Sequence, residues 1–176
     1  MTGPDLPEPE RTWSDPAQTF ARYLRYYREA VLARCGSLSA DELRLSRLPS
    51  GWTPLELLNH LAHMEQRWFV WGFLNDEVEH VWGDWSRDDP WDDAVTDARW
   101  RVADDVTAED LAGRLRDLGE RVTEILTTRS LDEVAPATER FDDADPPTLE
   151  WICFHVLHEY ARHAGHLDIS VELSGA

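Results

Sequence analysis

Between residues 111 and 125 the apolar side chains Leu111, Leu115, Leu118, Val122 and Ile125 recur at spacings of four and three. That period matches the 3.6 residues of a helical turn, and a single narrow apolar stripe needs another surface to cover it. Three further segments carry the same period. Phe20, Leu24, Tyr27 and Val31 follow Ser14-Asp15-Pro16, a capping side chain and then a proline whose missing N–H does no harm, and Gly36 ends the run. Thr53-Pro54-Leu55-Glu56 combines a capping Thr, Pro at the first helical position and Glu at the third. It opens a second helix with Leu57, His60, Leu61, Met64, Trp68 and Trp71 on one side, running to Asn75. The third helix begins at Thr107-Ala108-Glu109-Asp110. The fourth spans Thr148 to Leu173, with Ile152, Val156, Tyr160, Leu167 and Val171 as its apolar face and Gly175 beyond it.

The remaining segments read as connections. Ser39-Ala40-Asp41-Glu42 adds one short capped turn. Residues 76–106 show no clean period. Asp84, Asp88, Asp89, Asp92 and Asp93 alternate with Trp82, Trp85 and Trp91, which suggests a long connection with one helical turn near 91–103 and aromatics tucked against the helices. Residues 130–147, with Pro136, Pro146 and Pro147, form another loop. No strand alternation or internal repeat stands out. Four long helices in 176 residues predict an all-α four-helix bundle, with residues 1–13 a loose tail and 14–176 one domain. The connection between the second and third helices is long enough to recross the bundle, so those two are expected to run parallel.

Charge narrows the function. With 35 acidic and 17 basic residues the formal charge is −18, which opposes binding to nucleic-acid phosphates or an anionic membrane surface. All the basic residues are Arg, so a catalytic lysine is excluded. Cys35 and Cys153 lie far apart, and the N-terminus has no apolar signal core, so two free, buried thiols in a cytoplasmic protein are expected.

Four of the seven histidines fall within FHVLHEYARHAGH, residues 154–166. At about 100° per residue, measured from His155, Glu159 lies about 40°, His166 about 20° and His163 about 80° to one side, with His158 about 60° to the other. Glu159 and His163 are separated by roughly 6 Å of rise, the spacing at which two side chains of one helix grip one ion; Glu159 and His166 are roughly 10.5 Å apart. His158-Glu159 followed by His163 is one residue too long for HExxH, so its two histidines would point about 140° apart. A third ligand has to come from another helix. His60 sits among Leu57, Leu61 and Met64 on the apolar side of the second helix, while His63 lies toward Gln66 and Arg67. The pattern fits either an open three-ligand metal site or a core histidine beside a hydrogen-bonded Glu–His pair. His80 and His158 read as solvent-facing, and His155 as inward without a ligand role.

These residues carry a resemblance. Ser50-Gly51-Trp52-Thr53-Pro54 through Leu58-Asn59-His60-Leu61-Ala62-His63-Met64-Glu65, with Arg67-Trp68-Phe69, resembles the second-helix signature of the DinB-like superfamily. Glu150-Trp151, His155 and Glu159 through Asp168 resemble the fourth-helix signature of its mini-circle-type branch. The resemblance spans nearly the whole chain from residue 14. It implies a four-helix bundle with a long crossover between the second and third helices, often dimeric, and a divalent ion, commonly zinc or nickel. The ligand positions it implies are His60, Glu159 and His163. Glu159 departs from the commoner histidine and is similar to the ligand set of mycothiol-dependent maleylpyruvate isomerases.

Relatives of this kind act mostly with mycothiol, bacillithiol or glutathione. The implied function is metal-dependent activation of a low-molecular-weight thiol for attack on a small electrophile. In it His166 is a neighbour of the ion or proton shuttle, Tyr160 and Arg162 flank the site with Arg162 an anchor for a carboxylate on the thiol, and residues 76–106 form a lid or pocket wall. The alternatives are a non-catalytic, stress-related metal- or ligand-binding protein of the same fold, and a structural homodimer without a metal.

Overall fold

A computed structural model describes residues 7–12, 14–88, 90, 99–141 and 145–175. Its long helices are α1 (Pro16–Gly36), α3 (Pro54–Glu65), α4 (Ala108–Thr128) and α5 (Leu149–Ser174), with the single turn α2 at Ala40–Leu43. Among the described residues there is no strand, only two isolated bridges. The starts follow the expected caps. Asp15 accepts from Ala17 N, and Ser39, Thr53 and Thr107 each close a reciprocal capping box. Gly175, at φ +75°, ends α5 in the left-handed conformation.

The second long helix does not remain α-helical to its end. Beyond Glu65 it widens into a π-helical segment, Gln66–Phe73, and its last turn closes through Leu74 N to Phe69 O at 3.1 Å. Asn75, at φ +57°, then turns the chain away. Apolar periodicity does not distinguish a π turn from an α turn over two turns, so the sequence could not show this.

Pairings across the bundle give its directions. His60 meets His163, Glu65 meets Tyr160 and Trp68 meets His155, so α3 runs antiparallel to α5. Phe20 meets Phe154 and Arg34 pairs with Asp168, so α1 runs parallel to α5. Arg114 reaches His63 and Arg121 reaches Asp76, so α4 runs parallel to α3, as the long crossover predicted. Leu24, Val31, Leu57, Leu61, Leu115, Val122, Ile152 and Leu167 are sealed between the helices. Cys35 and Cys153 are also buried and free, and burial pushes both thiols up to about 12, so neither is a nucleophile near neutral pH.

Between the helices lies a buried cluster around a carboxylate. Glu65 has no exposed surface; Arg28 of α1 donates to both its oxygens, from Nε at 3.0 Å and NH2 at 2.5 Å, and Tyr160 of α5 donates to Oε2 at 2.5 Å. Burial opposes the charge on Arg28, yet the facing carboxylate outweighs it and raises the guanidinium pKa. Burial, and then Glu65, hold the Tyr160 hydroxyl protonated well above its usual range. Gly119 of α4 makes the room, since a Cβ there would lie 3.0 Å from Arg28 NH1.

The crossover, residues 74–107, is described only in part. The turn expected near 91–103 falls partly on residues 91–98, outside the described set, and residues 99–103 are not helical. Trp85 and Trp100 instead form an antiparallel bridge, tied by Ser86 N to Arg99 O and Arg101 N to Asp84 O, both at 2.8 Å. Asp84 bonds to His60 and Trp100 stacks on it, so both paired segments are anchored on the same residue of the bundle. Trp91, Asp89, Asp92 and Asp93 lie outside the described residues.

Removing Glu65 strands a buried guanidinium. Glu65→Ala is expected to cost about 3–5 kcal/mol and Tyr160→Phe about 1–2 kcal/mol in urea denaturation. Comparable losses for the two variants contradict the account of Glu65 as the charge that holds Arg28 inside.

Candidate functional site

Two helices and the crossover converge on His60. It lies on α3 with 7% exposure, and His163 on α5 with 6%. Their ring centroids are 5.1 Å apart. Ligand-type atoms of His60, Glu159 and His163 all lie within 4.8 Å of one another. Glu159 and His163, one turn apart, are joined by His163 Nε2 and Glu159 Oε2 at 3.1 Å.

His60 is oriented from behind. Its Nδ1 lies 2.9 Å from Asp84 Oδ2, and a carboxylate only accepts, so Nδ1 carries the proton and Nε2 keeps its lone pair. Asp84 is fully buried and gripped by Arg67, NH1 to Oδ1 at 2.5 Å and NH2 to Oδ2 at 3.0 Å. Burial alone would raise the Asp84 pKa, but the hydrogen bonds from His60 and Arg67 overcome it and hold the group ionised. Burial lowers the pKa of His60 despite Asp84, leaving a neutral imidazole. Glu159 is drawn down to about 2, first by its hydrogen bond to His163 against the opposing effect of burial, then by the charges of His163, His155 and His60.

Trp100 roofs the group. Its ring stacks on His60 at 3.9 Å and 12°, and meets His163 edge-on at 5.3 Å; Trp85 adds an edge contact to His60 at 6.2 Å. Trp85 and Trp100 of the crossover thus wall this group, and Asp84 of the same segment supplies the carboxylate behind His60. Two imidazoles and one carboxylate oxygen, the oxygen now bonded to His163, form a donor set that suits a borderline divalent cation with positions left open.

The other expected residues separate clearly. His166 lies beside the trio, its Nδ1 3.4 Å from His163 Nδ1 and its ring 6.1 Å from Trp52. Burial, then His163 and Arg162, lower its pKa, so it is neutral at pH 7. Arg162 is exposed on α5 and acts on His166 only through its charge. Tyr160 does not flank the site as expected: it points into the core toward Glu65, because a residue next to Glu159 on a helix faces about 100° away. His155 packs between Trp68 at 4.3 Å and Trp151 at 5.2 Å, outside the trio. His158 and His80 are exposed, as expected. His63 is buried and receives Arg114 NH1 at Nε2, 3.0 Å away. Asp84, Arg67 and Trp100 went unrecognised. Asp84 is one of several acids alternating with tryptophan, and nothing local distinguishes it; a basic residue seven positions after His60 was the available signal for Arg67.

Comparison with known proteins gives the family. A family model described as Mycothiol-S-transferase matches residues 19–174. The chain belongs to the mycothiol-S-transferase family. This family is DinB-like, so the superfamily resemblance and the all-helical fold coincide in one assignment. No curated protein and no solved structure matches the chain. Membership of the mycothiol-S-transferase family points to a small-molecule thiol as the partner, and no described helix is long and apolar enough to cross a membrane.

Burial and then Arg114 push the pKa of His63 down to about 4 from an unfolded value of 6.5. The unfolded chain therefore takes up this proton first, and acid favours unfolding. Stability is expected to fall as pH drops from 6.5 toward 4 and then level off, by on the order of 3 kcal/mol from this group. His63→Gln removes that slope in denaturation at stepped pH; identical slopes in both proteins contradict the assignment.

Proposed function

We propose that the protein transfers a low-molecular-weight thiol, mycothiol above all, to a small electrophile, using a divalent ion held by His60, Glu159 and His163. The convergence of those three ligand atoms within 4.8 Å, in a chain of the mycothiol-S-transferase family, carries this reading. When bound, the ion supplies positive charge that favours thiolate over thiol and so gives a nucleophile at neutral pH. Zinc or nickel suits the imidazole–carboxylate set.

The chain's own residues do the rest. Asp84 and Arg67 fix the tautomer and angle of His60. Glu159 contributes the one negative charge. His166, neutral and at the edge of the trio, accepts the proton when the S–H bond breaks. The sulfur then forms a bond to the electrophilic carbon, and the leaving group departs with the electron pair and takes up a proton. Exposed Arg162 stands where it can attract a carboxylate toward His166. Trp100 excludes water from the two imidazoles. We place the protein in the cytoplasm, as one domain from residue 14 onward that forms a homodimer. Burial of both imidazoles beneath Trp100 favours the second reading, a protein that binds the ion without catalysis.

Purified protein incubated with mycothiol and a small electrophile is expected to form the thioether, measured by mass spectrometry, and to lose this activity on chelation. His163→Ala is expected to lower the rate about a hundredfold, and exposed His158→Ala to leave it unchanged. Conjugation that is indifferent to chelator, or equal in the two variants, contradicts the reading; stoichiometric metal without any conjugation selects the binding protein. Asp84→Asn, which keeps the shape but not the charge behind His60, is expected to weaken metal affinity about tenfold to a hundredfold in chelator competition.

A further inference from the structure

Among the described residues Arg140 is a cation without a counter-charge. It sits on the 3₁₀ turn Glu139–Phe141 that precedes α5. Its guanidinium carbon lies 4.2 Å from the ring centre of Trp68, 5.4 Å from Trp71, 5.7 Å from Phe141 and 5.9 Å from Trp82. Its Nε is buried and has no hydrogen-bond partner. Among the described residues no carboxylate pairs with it, although the chain carries 35 acidic residues for 17 basic ones. Burial and the nearby Arg67 lower its pKa to about 10. Gly72 lets it lie this close to the π-helical segment, since a Cβ there would come within 3.1 Å of Arg140 Cδ. Cation–π stacking fixes the planar fork but leaves its hydrogen-bonding capacity unspent, and a desolvated guanidinium binds a carboxylate strongly.

Beside it is an apolar cleft of about 460 Å³ lined by Trp68, Phe141, Asp145, Pro147, Thr148 and Trp151. Trp68 and Phe141 belong to both the cleft and the cage around Arg140. Trp151 lines this cleft and is 50% exposed, so its ring is accessible to a ligand. Asp145 lies at the rim and makes no ion pair with Arg140. Trp68 and Trp151 pack on His155, which is one helical turn before Glu159. Trp151 and Glu159 are eight residues apart on α5, roughly 12 Å of rise, so a ligand that touches both the cleft and the trio is extended.

We propose that Arg140 and this cleft form a subsite for an extended organic anion, with an apolar ring-bearing body against Trp68 and Trp151 and a carboxylate on the Arg140 fork. The proposal deepens the transferase reading by naming the electrophile class: a long, ring-bearing acid whose reactive end reaches toward Glu159. Arg140 is then a specificity-determining residue; it takes no part in the bond-making step.

The test uses calorimetric titration of the full-length protein without metal or thiol, so the failure of the transferase reading leaves it intact. The probes are 1-naphthylacetate and its neutral amide. The acetate is expected to bind the wild type, about tenfold or more weakly Arg140→Gln, and with intermediate affinity Arg140→Lys. The amide is expected to bind all three alike. Arg140→Gln is also expected to melt no lower than the wild type, because it removes an uncompensated cation and an unsatisfied donor. Equal acetate affinity in wild type and Arg140→Gln overturns the proposal, as does no acetate binding by the wild type. Should Arg140→Gln fail to fold, Trp151→Ala tests the same cleft from its exposed side, with loss of acetate binding expected and unchanged affinity overturning it. Where conjugation is observed, Arg140→Gln is expected to raise KM for an anionic electrophile about tenfold at constant kcat, with a neutral electrophile unaffected.

Discussion

A carboxylate with no exposed surface is tolerated in a helical core only if other groups bring it charge and hydrogen bonds. Glu65 obtains them from Arg28 on α1 and Tyr160 on α5, so three helices meet at one ionised point. That point fixes how far α3 is slid along α5. Tyr160 is the residue after Glu159, and Glu65 is five residues beyond His60. With Glu65 against Tyr160 and the two helices antiparallel, His60 falls opposite His163. A slip of one turn would move His60 by roughly 5.4 Å, more than the whole spread of the three ligand atoms.

A second buried carboxylate repeats the principle at the site. Asp84 comes from the crossover, and its charge is balanced by Arg67 from the π-helical segment and shared with His60. The crossover is held by this ion pair and by the Trp85–Trp100 bridge. One segment thus supplies the group behind His60 and the ring that covers it. His60 and His163 are buried while Glu159 and His166 are half-buried, so the group meets the surface on the side of the latter two. The same widening of α3 that aims Arg67 at Asp84 also leaves Trp68 and Trp71 around Arg140.

Helices were legible in the sequence because each announces itself locally. Thr53-Pro54 with Glu56, and Thr107 with Asp110, name their own starts, and the four-three spacing from Leu111 to Ile125 names its own face. The Glu159–His163 pair was legible for the same reason, since one turn of one helix sets their distance. His60 could be named from its place among Leu57, Leu61 and Met64, but its partner Asp84 could not, because the link spans 24 residues and passes through a segment without periodicity. Glu65 shares a helical face with Leu58 and Leu61, and a charge in that position was a sign of a buried pair. Tyr160 was correctly placed on the apolar face of α5 and wrongly brought beside the site. A residue's neighbour on a helix points elsewhere, and only the partner it finds decides where that leads.

X-ray absorption at the edge of the bound ion tests the central claim most directly, because it sees the ligands themselves. Zinc-loaded protein is predicted to show only nitrogen and oxygen neighbours near 2.0–2.2 Å, and to gain one sulfur neighbour at about 2.3 Å when mycothiol is added. A first shell unchanged by the thiol, or a sulfur neighbour already present without it, contradicts a His60–Glu159–His163 centre that takes a thiol.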